Sequence, residues 1–422
     1  MASFAARQLL KPMCGKWIKG DQNTVISGFS NKASKVKPGY MFFDTKGGKR
    51  GQRNIARAIQ NGAAAIVVSK KNFDQHLFED EKAPAAVITV SDVWEAIWVV
   101  AKLFRDLHHI PVVGVTGSSG KTTTTHMIAS IFSRRWKTHK TKGNLNLPEY
   151  LPAQIMRLQY GYQAAVFEIG MHRRGQVGWQ SSIIQPEVGI ITNIGIAHVE
   201  YLGNLEQIIL EKSDIIKGMP EHGCLVLNAD SPATKQIDLS GFKGKIAYFG
   251  LNNKADYTAS EIMIRRRGTF FKAAIDGKQH YFFIPVYGRH NVYNALAAIA
   301  AARYYNFDID TIKAGLAGFS QPKMRLQILP GLRQSVLIDD TYNANPDSII
   351  AGLEVLKELS GKKTSVAVLG EMLEQGQYAP ENHRKVGRKV EELEINWLIT
   401  VGELAREIAG AIKSTKIKKM VL

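Results

Sequence analysis

An α/β fold of three successive domains, the middle one built on a parallel sheet, is predicted by three observations. From residue 111 onward, apolar runs of strand length alternate with stretches that suit helices. The first of these runs breaks into glycines, a lysine and threonines in VVGVTGSSGKTTTT, residues 112–125. After a change of composition near residues 319–322 the alternation begins again and continues to Leu422. Apolar runs separated by helices imply parallel crossovers and a mostly buried sheet.

Taken in order, residues 1–108 contain a strand at 40–43, a helix at 55–61, strands at 64–68 and 85–90, and a helix at 93–107. Residues 109–319 form the expected central domain, with strands at 112–115, 164–169, 188–192 and 224–227. Four closer-spaced runs, 246–249, 258–264, 270–274 and 281–285, read as an antiparallel patch on that sheet, and 291–305 as an alanine-rich helix. Residues 320–422 alternate strands at 335–338, 365–369, 397–401 and 419–422 with helices at 347–359, 383–393 and 403–412, a third doubly wound domain.

Length and composition narrow the function. A chain of 422 residues with 37 glycines and 45% apolar residues suits an α/β protein of two or three domains, not a fibrous or disordered one. Cys14 and Cys224 are too few for a disulfide framework, so a reducing compartment and a cytoplasmic location are expected. The N-terminus, MASFAARQLLKPM, lacks a long apolar core and reads as a short amphipathic element, and no later stretch reaches the ~18 apolar residues of a membrane span. The 55 basic against 37 acidic residues give a charge of +18, which favours anionic ligands. That charge is spread over the chain without zinc-finger spacing or an aromatic RNA-binding motif, so a charged solvent face is expected and no specific nucleic-acid partner. The expected partners are nucleotides and small peptide or amino-acid substrates, bound by a monomer.

The glycines and hydroxyls after strand 112–115 suit a phosphate loop. Gly117 and Gly120 permit a tight turn that aims backbone N–H groups at a polyphosphate, Lys121 brings charge to the outer phosphates, and the Thr122 hydroxyl suits magnesium. The Walker pattern is imperfect, with Val115 where its first glycine would fall. Glu168, at the carboxyl end of an apolar strand, can hold magnesium or cap a turn. In IITNIGIAH, residues 190–198, Thr192 and Asn193 can orient a phosphate or carboxylate, and His198 can ligate metal, move a proton or serve only as a hydrogen-bonding residue. Spacing makes Lys212, between Glu211 and Asp214, a solvent-facing helix residue. In GRHNVYN, residues 288–294, Asn291 can read a purine edge with His290 over the base, or cap the helix. The turn VLIDDTYNANPDS, residues 336–348, offers Asp340 to a ribose or to magnesium-bound water, with plain turn formation as the alternative; Arg325 can bring a fixed charge onto ATP from the opposite side. NKAD, residues 253–256, follows a turn-like segment instead of a strand, which argues against a GTPase.

In this order the motifs resemble the Mur ligase family, ATP-dependent amide-forming enzymes of peptidoglycan synthesis. The resemblance runs from about residue 112 to 400 and weakly over the first domain. It rests on TGSSGKTTT at 116–124, TKGNLN at 141–146, EIG at 168–170, ITNIGIAHVEYLG at 191–203, GRHNVYNALAA at 288–298 and DDTYNANPDS at 339–348. Within the family, DDTYNANPDS and LGEMLEQGQYAPENH at 369–383 are most similar to the branch that joins D-alanyl-D-alanine to a UDP-N-acetylmuramoyl tripeptide.

The resemblance implies a substrate-anchoring first domain, a central P-loop ATPase sheet and a C-terminal Rossmann-like domain that closes over the cleft, with ATP and Mg2+ as cofactors. It implies ATP binding by Gly117, Ser118, Ser119, Gly120, Lys121, Thr122, Thr123, Asn291, Arg325 and Asp340. Metal would fall to Thr122, Glu168, His198 and a carbamylated Lys212, with Lys121, His198 and Lys212 catalytic. Asn144, Asn146, Asn343 and Asn345 would face the substrate. The implied reaction passes through an acyl phosphate that the third domain shields from water. Two stretches depart from the family pattern at the nucleotide-sugar end: SNKA at 30–33 and GKRGQRN at 48–54. A related ligase for a different anionic acyl substrate, and a non-catalytic ATP-responsive interaction protein, are the alternatives they leave. The chain also stops short of the lysine-glycine-serine element that closes the family's last domain, so an incomplete amine pocket is expected.

Overall fold

The computed structural model describes residues 3–78, 86–195, 199–265 and 267–422. By contact it divides into two compact units, Met1–Ile110 with Pro148–Tyr162, and Pro111–Leu147 with Gln163–Leu422. The segment from 148 to 162, counted by chain position with the central domain, therefore packs with the first unit. Its Leu151, Ile155, Met156 and Leu158 are buried, and Leu151–Ile155 lies against the helix Val93–Asp106. Asp92 starts that helix by accepting from Trp94 N at 2.7 Å and Glu95 N at 3.1 Å.

Among the described residues the first unit has a five-stranded sheet in the order Lys16–Gly20, Ala86–Val90, Ala65–Ser69, Tyr40–Phe43, Gly28–Ser30. Only Lys16–Gly20 runs antiparallel. The divergent stretch 30–33 begins at the carboxyl end of Gly28–Ser30, and 48–54 forms the first turns of the helix Gly48–Gln60 that follows Tyr40–Phe43 after a short loop.

In the second unit nine described strands form one sheet, in the order Lys278–Ile284, Gly268–Ile275, Tyr257–Arg265, Lys245–Gly250, Cys224–Asn228, Val188–Ile191, Val112–Thr116, Ala164–Glu168, Thr138–Lys140. Cys224–Asn228, Val188–Ile191, Val112–Thr116 and Ala164–Glu168 are buried at every position, as expected of central parallel strands. The antiparallel patch is smaller than the sequence suggests. Lys245–Gly250 runs parallel to Cys224–Asn228 and to the start of Tyr257–Arg265, and only the last three strands pair antiparallel.

The helix Arg289–Tyr304 buries Ala295, Ala297, Ala298, Ala300, Ala301 and Ala302, small side chains that allow close packing on the helix Lys121–Phe132. The helix Ile309–Ala317 approaches Lys121–Phe132 through Gly315, where an added Cβ would lie 2.5 Å from the Ile131 Cα. Phe132 stacks on Phe307 at 5.1 Å and meets Trp136 edge-on at 5.3 Å, closing this end of the core.

Toward the C-terminus Val366–Leu369, Trp397–Thr400 and Lys418–Val421 form a parallel three-stranded sheet. The run read at 335–338 does not join it: Val336–Asp339 pairs antiparallel with Gln327–Pro330 instead. The tight turn between them, with Gly331 N donating to Ser335 O at 2.9 Å, makes this hairpin the nearest available ladder.

Gly315→Ala overpacks the contact with Ile131 and is expected to cost about 1–3 kcal/mol, read as a lower urea midpoint. Gly241→Ala, which meets no atom within 4 Å, should leave the midpoint near wild type; equal midpoints for both variants would refute the packing assignment.

Candidate active site

The strand Val112–Thr116 ends in a loop that only glycine accommodates at two points. Gly117 has φ +146° and Gly120 φ +78°; a Cβ would lie 1.9 Å from Thr192 Oγ1 at the first and 2.4 Å from Asn294 Oδ1 at the second. Gly120 is the N-cap of Lys121–Phe132, so the loop leads directly into the positive end of that helix.

The neighbouring strand end clamps this loop. Asn193 Oδ1 accepts from Ser119 N at 2.8 Å, its Nδ2 donates to Ser119 Oγ at 2.7 Å, and its carbonyl accepts from Ser118 N at 3.0 Å. Thr192 Oγ1 donates to Ser119 O at 2.6 Å, while Ser118 Oγ donates to Gly195 O and accepts from Gly195 N, both at 2.9 Å. Thr192 and Asn193, expected to orient a ligand, hold the loop itself. From the helix side Asn294 Oδ1 accepts from Thr124 Oγ1 at 3.2 Å.

Lys121 Nζ donates to Gly117 O at 2.8 Å. Burial lowers its proton affinity, Glu168 raises it and Arg325 lowers it again, so two charged groups distant in sequence act on one ammonium. Glu168 is buried at the end of Ala164–Glu168; Asn146 Nδ2 donates to its Oε1 at 2.7 Å, and its backbone N–H donates to Thr141 Oγ1 at 3.0 Å. Asn146, expected at the substrate, thus positions a carboxylate.

Lys212 reverses its spacing-based reading: it is 1% exposed. The helix Leu205–Ser213 starts where Asn204 Oδ1 accepts from Gln207 N at 2.9 Å, and it buries Ile208, Ile209, Glu211 and Lys212. The Glu211 carboxylate accepts from Gly175 N at 2.5 Å and Val177 N at 2.7 Å at the start of the helix Gln176–Ile184. Burial first, then Lys121, hold Lys212 well below the ordinary lysine range, with Glu211 opposing. Among the described residues no hydrogen bond or ion pair reaches its Nζ, and it lies outside the lining of the cleft. His198 falls outside the described residues.

Asn291 does not cap its helix; Gly288 holds that position. The Asn291 amide is instead buried, with Nδ2 donating to Tyr287 O at 2.7 Å and Oδ1 accepting from Asn294 Nδ2 at 3.0 Å. Burial pushes the adjacent His290 down to about 4, so its ring is neutral near pH 7.

Arg325 and Asp340 stand on facing strand ends. The Arg325 guanidinium lies 4.1 Å from the Tyr342 ring centroid, and Asp340 Oδ1 accepts from Leu326 N at 3.0 Å. Burial pushes the Asp340 carboxyl up to about 6. Met324 and Leu326, on either side of Arg325, have φ of +57° and +50°, strained backbone that fixes the direction of this side chain. Asn345 caps the helix Pro346–Ser360 in a mutual pair with Ser348, while Asn343 and Asn144 are exposed.

A cleft of about 620 Å³ joins these groups. Its lining includes Ser118, Ser119, Gly120, Lys121, Thr122, Thr123, Asn144, Asn146, Glu168, Asn291, Arg325, Asp340, Asn343 and Asn345. It also includes Asn228, Tyr293 and Asn294, which sequence reasoning missed; the last two lie inside GRHNVYN, one helical turn past residues that were singled out. Residues 115–302 match the Mur ligase middle domain, and 324–421 the Mur ligase glutamate ligase domain.

The chain belongs to the Mur ligase family. It is 32% identical over 394 residues to the UDP-N-acetylmuramoyl-tripeptide–D-alanyl-D-alanine ligase of Bacillus subtilis, covering 93% of this chain and 84% of that protein. To the ligase of the same name from Escherichia coli it is 33% identical, covering 97% and 88%. The fold is similar to that of a MurF crystal structure from Acinetobacter baumannii, with a TM-score of 0.88 at 29% identity over 100% of this chain and 90% of that one. The MurF ligase from Thermotoga maritima in complex with ADP gives a TM-score of 0.80 at 25% identity, over 93% and 87%.

Gly117→Ala should drive its methyl into Thr192 Oγ1 and displace the loop of this Mur ligase. The expected outcome is at least a tenfold loss of ADP affinity by calorimetry, since about 1.4 kcal/mol of lost binding suffices, with the fold retained by circular dichroism. Unchanged affinity would mean that the loop does not bind phosphate.

Proposed function

We propose that this Mur ligase is an ATP-dependent enzyme that joins D-alanyl-D-alanine to a UDP-N-acetylmuramoyl tripeptide, forming an amide with release of ADP and phosphate. The observation that carries the proposal is the convergence of Lys121, Glu168 and Arg325 on one cleft, together with the named relatives. The Thermotoga maritima structure, solved with ADP, supports a nucleotide on this loop.

The tripeptide's carboxylate oxygen attacks the γ-phosphorus of ATP, the bond to the β-phosphate oxygen breaks, and ADP leaves. The amine of D-alanyl-D-alanine then adds to the acyl carbon, loses a proton, and phosphate departs with the original carboxylate oxygen. Lys121 and the N–H groups at the start of the helix Lys121–Phe132 would hold the phosphates in line, and Arg325 adds charge from the third domain; positioning and electrostatics are the protein's main contributions. The exposed Asn144 and Asn343, on the cleft lining, would meet the peptide end, while Asn345 holds the helix start beside them.

Thr122 and Glu168 provide a hydroxyl and a carboxylate, hard oxygen donors suited to magnesium, which keeps several waters and takes phosphate oxygens. Phosphate oxygens and water would complete such a site. Magnesium there would offset charge on the transferred phosphoryl group. The uncharged amine favoured at Lys212 is the form that adds CO2, and the resulting carbamate would give the buried position an anion beside Lys121. No helix among the described residues is long and apolar enough to cross a membrane.

Phosphate release should require both acyl and amine substrates, and Lys121→Ala should lower kcat by ~10²–10³. ATP breakdown indifferent to either substrate would sink the ligase reading. A panel extended to other anionic acyl substrates tests the divergent 30–33 and 48–54 stretches, because activity confined to one of those would move the specificity away from the UDP-muramyl peptide. With 13C-bicarbonate, wild type should show a carbamate NMR signal that Lys212→Ala lacks. The signal should fade as pH drops, since protonation removes the amine lone pair; a signal equal in both proteins would exclude Lys212.

A further inference from the structure

A second depression, of about 420 Å³, lies outside the cleft, between the helix Lys121–Phe132, the edge strand Thr138–Lys140 and the connection at Gly318 and Ser320. Its charged lining is all basic or neutral. His126, Arg134 and Lys140 line it together with the hydroxyl residues Ser130, Ser133, Thr138 and Ser320, and no carboxylate contributes.

The contacts show how poorly these groups satisfy one another. Lys140 Nζ sits 3.0 Å from His126 Nδ1, a distance that requires a neutral imidazole accepting from the ammonium. Arg134 Nη2 donates to Ala314 O at 2.9 Å, which leaves most of its fork open. Among the described residues neither Arg134 nor Lys140 pairs with a carboxylate, although the chain forms such pairs elsewhere, as in Arg303 with Asp276 at 2.5 Å. Ser130 and Thr138 donate to Gly315 O at 2.7 Å and to Trp136 O at 2.9 Å, so the three nitrogen groups with the Ser133 and Ser320 hydroxyls form the donor set, which matches an oxyanion with several acceptor oxygens.

We propose that this depression is an oxyanion site for phosphate or a phosphate-bearing metabolite, separate from the nucleotide cleft. Burial, Lys140 and Arg325 push His126 down to about 4, with the Ser320 backbone opposing. Arg134 in the turn just past the same helix, Lys140 on the edge strand and Arg325 beyond the connection are the cations around it. A bound anion offsets all three and returns proton affinity to the ring. The site also bridges the helix that follows the phosphate loop and the connection leading to Arg325, so its ligand would tie those two elements together.

The test uses 15N-histidine-labelled protein at constant ionic strength with saturating Mg-ADP, titrated with inorganic phosphate in one arm and glycerol 3-phosphate in the other. The His126 ring signal, assigned by its loss in His126→Gln, should shift saturably toward the protonated form. Lys140→Gln and Arg134→Gln should each weaken binding about tenfold or more, as expected for a lost hydrogen bond to a charged group. Tighter binding of the ester would identify a phosphorylated metabolite as the ligand, and equal binding free phosphate; both support the site. A non-saturating drift that chloride reproduces, or a shift unchanged in both variants, overturns it. The wild-type titration is decisive even if a variant is unstable.

Discussion

The site depends on one constraint: the backbone after Thr116 must pass through conformations reserved for glycine and be held there by its neighbours. Sheet order makes this possible. Val112–Thr116 lies between Val188–Ile191 and Ala164–Glu168, so the carboxyl ends of all three strands open on one edge. One neighbour sends Thr192 and Asn193 onto the loop, and the other places Glu168 near Lys121. The crevice at such an edge is where open α/β sheets bind ligands.

Around the loop, charge is buried in an unequal arrangement. Lys212 is enclosed with Lys121 acting on it, while Glu211, the carboxylate that opposes this, is already engaged with two backbone N–H groups. A buried cation with no partner costs several kcal/mol unless it loses its proton or gains an anion. The fold therefore favours the neutral amine at Lys212. The second depression shows a milder form of the same imbalance, with His126 kept neutral beside Lys140 and Arg325.

Much of this was legible in the sequence because it is local. Gly117, Gly120 and Lys121 follow an apolar strand in an order that few structures other than a phosphate loop require, and Asn345 with Ser348 is a visible helix start. The central parallel strands were readable because burial on both faces leaves continuous apolar runs. What failed depends on tertiary partners. Lys212 looked solvent-facing because its helix turns toward a second helix, Gln176–Ile184, that spacing cannot reveal. Of the two readings open for Asn291, capping falls because Gly288, which has no capping side chain, takes that position. Residues 148–162 were counted with the central domain because chain order says nothing of their packing on Val93–Asp106. Val336–Asp339 has strand composition, but only its pairing with Gln327–Pro330 shows that it leaves the parallel sheet.

Arg325 and Asp340 line the cleft from a separate hairpin, and the proposed mechanism has the phosphate loop and this hairpin act on one phosphoryl group. The most direct measurement is the fate of oxygen in the acyl substrate. With the tripeptide carboxylate labelled with 18O, activation as an acyl phosphate requires one labelled oxygen to appear in the released phosphate for each amide formed. Product formation with all label retained in the peptide or in water, and none in phosphate, would contradict carboxylate activation in this cleft.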